Sequence, residues 1–150
     1  MTGVFEGVGS LQFTPDNKHA YAYSGTIPAS ATAQTILTFT TGSEYIVGLL
    51  NAMPVTNFTA VDGAETTFQL SINDKVIAIQ MFHNNASDTG GNFWELHVVL
   101  PPFATFKLEM DSATGTTTYL GTAIFTGEVK GAIEQENLEA ITNNNKWASK

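Results

Sequence analysis

The chain is expected to fold as an all-β protein, a sandwich of two antiparallel sheets with jelly-roll topology. Three observations predict this. Short runs rich in Thr, Val, Ile, Phe and Tyr alternate in polarity and are separated by Gly, Pro, Asn, Asp and Ser. No strand–helix alternation of the kind that builds a parallel sheet is present. The connections at 54–65 and 83–92 are long for simple hairpins, which favours strands that cross between sheets over a plain meander. An immunoglobulin-like sandwich is the second candidate.

The strands follow in order. HAYAYSGTI (19–27) puts Tyr21, Tyr23 and Gly25 on one face. QTILTFTT (34–41) mixes β-branched and aromatic residues, and EYIVGLLNAM (44–53) follows the turn at Thr41-Gly42-Ser43. TTFQLSI (66–72) directs Phe68, Leu70 and Ile72 to one side. Asn73-Asp74 then supplies a two-residue hairpin turn, since both residue types tolerate positive φ. KVIAIQMF (75–82) returns, and HNNASDTGGN (83–92) is a surface loop. FWELHVVL (93–100) and FATFKLEM (103–110) meet at Pro101-Pro102. Proline cannot donate to a sheet ladder, so this pair marks a corner leading into another strand, in the opposite sheet. A long last strand over 116–131 is expected to bend or bulge near Gly121. The total is about eight or nine strands in a domain of residues 1–131. Residues 132–150 read as a short helix over 134–141, with Ile133, Leu138 and Ile141 on one broad face, and a polar tail.

Composition excludes several roles. The chain has 150 residues, enough for one domain with a substantial core. Charged residues make up 13%, about half the usual share, so much of the surface is neutral and polar. Such a surface does little to repel other proteins and suits permanent assembly. The net charge is −8, and all six basic residues are lysine. Without arginine the usual bidentate reader of phosphate and guanine is missing, so nucleic acid, nucleotide and anionic membrane partners are disfavoured. With no cysteine, disulfides, thiolate zinc sites and thiol catalysis are excluded. No basic segment followed by an apolar core opens the chain, so no signal peptide is expected, and no apolar run is long enough for a membrane-spanning helix.

Candidate sites are few. His19, His83 and His97 are far apart in sequence and show no metal-ligand spacing; a hydrogen-bonded strand imidazole is the simpler reading. No metal or cofactor is expected. The loop 83–91 offers oxygens from Asn84, Asn85, Ser87 and Asp88, which could hold calcium. It could instead bind a glycan, with Trp94 or Phe93 stacking nearby, or be a plain turn-rich loop. Glu109 and Asp111 share a strand face and read as a solvated strand end. No serine lies in a nucleophile elbow, and no phosphate loop surrounds Gly3, Gly7 and Gly9. Phe39, Phe68, Phe106 and Phe125 alternate as core residues do. Tyr21 and Tyr23 make a face that reaches solvent or a neighbour, and Trp147 in the polar tail needs something to dock on, either its own domain or another subunit. These three are the candidate subunit contacts.

With those residues in view, the chain resembles small single jelly-roll viral structural proteins, of the phage minor capsid, vertex or head-decoration type. The segments that carry the resemblance are YSGTIPASATAQTILTFTTGSEYIVGLL, NFWELHVVLPPFATFKLEM and AIFTGEVKG. They combine Thr-rich strands, a Pro-Pro corner before the penultimate strand and a closing Gly-x-Val-x-Gly, over residues 18–131. The resemblance implies a non-enzymatic virion protein that self-assembles, as a trimer or pentamer, and meets other virion proteins. The absence of a basic N-terminal arm favours an outer or decorating position. The alternative is a carbohydrate- or receptor-binding β-sandwich module. A cupin-type enzyme is the third reading, and it lacks the clustered His and Glu ligands that cupins need.

Overall fold

A computed structural model describes residues 10–28, 32–56, 65–83, 93–112 and 119–130. Within them the chain forms ten strands and no helix. They are β1 (Gln12–Phe13), β2 (His19–Tyr23), β3 (Ile27–Pro28), β4 (Gln34–Thr40), β5 (Ile46–Thr56), β6 (Glu65–Ile72), β7 (Lys75–His83), β8 (Trp94–Leu100), β9 (Thr105–Ser112) and β10 (Tyr119–Val129). The expected helix over 134–141, Trp147 and the loop 84–92 lie outside the described residues.

One sheet runs β1-β2-β10-β5-β8, with the two-residue β3 also on β10; the other runs β4-β9-β6-β7. All pairings are antiparallel. Numbering only the eight longer strands from one, the sheet orders are 1-8-3-6 and 2-7-4-5. Every connection between them crosses from one sheet to the other except the β6–β7 hairpin. This is the jelly roll.

Alternation builds the core. Phe68 and Leu70 from β6, Phe106, Leu108 and Met110 from β9, Leu50 and Ala52 from β5, and Ala123 and Phe125 from β10 are all sealed from solvent. Phe106 stacks on Phe39 at 4.6 Å between ring centroids, and Phe125 of the opposite sheet reaches both rings, at 5.1 and 5.5 Å. That trio ties the two sheets together. A bulge in β4 leaves Ile36 without a partner between Thr35 and Leu37. It turns both Ile36 and Leu37 into the core.

The Asn73-Asp74 turn has both residues at positive φ, 51° and 61°, as a type I′ hairpin requires. Asn73 also docks the turn on the start of β9. Its N–H donates to the Thr105 carbonyl, and its Oδ1 accepts from the Thr105 N–H at 2.8 Å. The Pro101-Pro102 corner carries the chain from β8 in one sheet to β9 in the other, as expected. Thr41 holds it: its hydroxyl donates to the Pro101 carbonyl at 2.6 Å and accepts from the Ala104 N–H at 2.9 Å.

Two sequence expectations need correction. The strand after the corner begins at Thr105, not Phe103, because Phe103 takes a left-handed φ of 56° in the turn and is exposed. The last strand has no bulge at Gly121; its register with β5 is unbroken from Tyr119 to Val129. The glycine answers a packing demand instead. A Cβ there would fall 2.0 Å from the Met110 sulfur.

Candidate functional site

The two outward sheet faces differ in chemistry. On the six-stranded sheet, side chains from four strands line up in rows. Strand register sets Val99, Val47, Glu128 and His19 side by side in one row. The next holds His97, Leu49, Thr126 and Tyr21, and the third Glu95, Asn51, Ile124 and Tyr23. A shallow concavity of about 460 Å³ opens over the first two rows, Val99 excepted, and Tyr23. Its floor crosses Ala20, Gly127 and Gly48, three cross-strand partners with little or no side chain. The inner side of that glycine pair is filled by Phe125 and Ile46: a Cβ on Gly48 would sit 2.3 Å from the Phe125 ring.

Tyr21 and Tyr23 border the concavity with ring centroids 5.2 Å apart and planes tilted by 31°, a nearly continuous aromatic surface. Both face outward, as expected, and Tyr23 is 55% exposed. Glu128 lies cross-strand from His19 and pairs with Lys130 at 2.5 Å. The hydrogen bond from Lys130, then its charge, holds the Glu128 carboxyl below its ordinary range, so it is ionised at neutral pH. His19 and His97 both line this concavity, a convergence invisible in their sequence spacing. They stand on β2 and β8 with β10 and β5 between, roughly 14 Å at ordinary strand spacing. That is too far to share a metal ion, and among the described residues no three metal-ligating side chains gather.

The outward face of the four-stranded sheet has a polar centre and an apolar edge. Lys107 and Glu109 pair at 3.5 Å on β9, with Asp111 further along the same strand face. Glu109 and Asp111 are thus part of a partly solvated surface. At the edge, β7 shows Val76, Ile79 and Met81 outward, opposite Ser71, Gln69 and Thr67. Ile77, the extra residue of a bulge, is exposed beside them. Ile79 is 60% and Met81 54% exposed.

Of the other candidate ligand residues, Asn84, Asn85 and Asp88 lie outside the described residues. Trp94 packs into the core at 9% exposure, so the exposed aromatic at the start of β8 is its neighbour Phe93.

No protein-family model matches the chain, and no curated protein does. Solved structures do. The chain is similar to the infectious bursal disease virus VP2 subviral particle, with a TM-score of 0.50 and 10% identity over 76% of this chain and 33% of that one. The T13 particle of the same virus gives 0.47 and 11%, over 71% and 29%. A family 35 carbohydrate-binding module from Clostridium thermocellum gives 0.36 and 7%, over 73% and 70%. The chain spans about a third of the VP2 chain it matches. At such identities the likeness is one of fold.

Proposed function

We propose that this chain is a non-enzymatic virion structural protein, a jelly-roll subunit that assembles with copies of itself through the edge of its four-stranded sheet. The observation that carries this reading is the stripe Val76, Ile77, Ile79 and Met81 on an edge strand. Soluble proteins protect such edges with charges, prolines or covering segments. Among Lys, Arg, Asp and Glu, β7 contains only Lys75, at the turn. Among the described residues no strand pairs with the outer edge of β7, and an apolar strand edge of that kind is a surface for contact. The small share of charged residues, 13%, and the fold it shares with a protein of viral particles support the same reading. A trimer or pentamer closes when the stripe meets a different surface of the next copy around a ring.

Light scattering on a size-exclusion column tests this. The full chain is expected as a discrete oligomer, and Ile79→Lys as a monomer with an unchanged circular dichroism spectrum. Comparing the chain with and without residues 132–150 shows whether Trp147 adds to the contact. A full chain that stays monomeric at its highest soluble concentration overturns the reading.

A further inference from the structure

We propose that the concavity on the six-stranded sheet binds a neutral pyranose sugar, a second activity independent of assembly and on the opposite sheet. A pyranose has an apolar C–H face and a belt of hydroxyls that both donate and accept hydrogen bonds. Its site needs an aromatic or apolar surface beside groups of both kinds. The concavity supplies both: Tyr21, Tyr23 and Leu49 for the apolar face, and Thr126, Glu128 and the imidazole of His19 for the hydroxyls. The tilted tyrosine pair offers two ring faces, enough for adjacent sugar units of an oligosaccharide.

Other ligand classes fit less well. An anion would find no arginine, and the nearby Lys130 is already paired to Glu128. A small apolar molecule needs most of its surface enclosed, whereas this concavity is shallow and opens to solvent. The sequence also offers the Asn-rich segment 83–91 as a glycan candidate, and the test distinguishes the two.

The full chain is screened on an array of neutral and sialylated oligosaccharides. The strongest neutral binder, with methyl β-galactopyranoside as the minimal probe, is then titrated by NMR. Binding is expected to weaken about tenfold or more in Tyr23→Ala, the scale of a lost aromatic contact, and to survive in Tyr23→Phe, which keeps the ring. Thr126→Trp fills the concavity from an exposed position and is expected to abolish binding without touching the core. Asn84→Ala and Ile79→Lys are expected to leave it unchanged. The second of these separates sugar binding from assembly. The proposal is overturned if no neutral glycan binds, if only sialylated ones do, or if Tyr23→Ala and Thr126→Trp bind as the parent does. It is also overturned if Thr126→Trp dissociates the oligomer, since the face would then belong to a neighbouring subunit.

Discussion

Phe106 sits where the two sheets are tied, between Phe39 on its own sheet and Phe125 on the other. It is fully buried, so Phe106→Ala removes a whole ring and leaves a cavity. A loss of about 3–5 kcal/mol is expected in urea denaturation; a loss under about 1 kcal/mol would mean the site collapses around the gap. Such core residues were legible in the sequence, because strict alternation of Phe106, Leu108 and Met110 with Lys107 and Glu109 fixes one face inward. Thr41 was not legible as more than a turn residue. Its partners Pro101 and Ala104 lie 60 and 63 positions away, and no local pattern announces them. Thr41→Val keeps the shape and removes the hydroxyl, leaving the buried Ala104 N–H without that acceptor. A cost of about 1–3 kcal/mol is expected in the same assay, the range for an unsatisfied buried polar group. A neutral outcome would mean solvent reaches the corner.

At the scale of elements, the β6–β7 hairpin was readable from its turn pair, yet the facing of β7 was not. In KVIAIQMF apolar residues occupy both faces, so alternation cannot say which set is inside. The bulge at Ile77 then shifts the phase within the strand. The result is an edge strand with Val76, Ile79 and Met81 turned outward, which sequence periodicity did not single out as a surface. The rows of the six-stranded sheet were hidden for a related reason. His19, Leu49, His97 and Thr126 come to line one concavity only through strand order, and long crossovers set that order. Tyr21 and Tyr23 alone announced an outward face, because tyrosine in place of phenylalanine on an alternating run signals contact with water or a partner. The turn itself offers a stability test. Asp74 holds a φ of 61°, where glycine rests without strain. Asp74→Gly is expected to stabilise the fold by about 0.5 kcal/mol, the relieved strain outweighing the extra freedom of the unfolded chain. A lower thermal midpoint would show that the aspartate side chain contributes something its backbone position does not reveal.

At the scale of the whole molecule, each copy carries a net charge of −8. Two copies therefore repel at long range, while the β7 stripe that would join them contains no carboxylate. The two effects respond oppositely to salt. Repulsion between exposed charges is screened as the Debye length shrinks from about 10 Å at 0.1 M to about 3 Å at 1 M. Apolar contact is not weakened by screening, and a strongly excluded salt such as sulfate strengthens it. Assembly through β7 is thus expected to tighten as salt rises, with the dissociation midpoint in light scattering moving to lower protein concentration. An assembly held by ion pairs, for example Lys107 or Lys130 of one copy with a carboxylate of the next, would loosen over the same range. Dissociation by added sodium chloride would therefore rule out the uncharged edge as the main contact. It would move the interface to the charged centre of one of the two sheets.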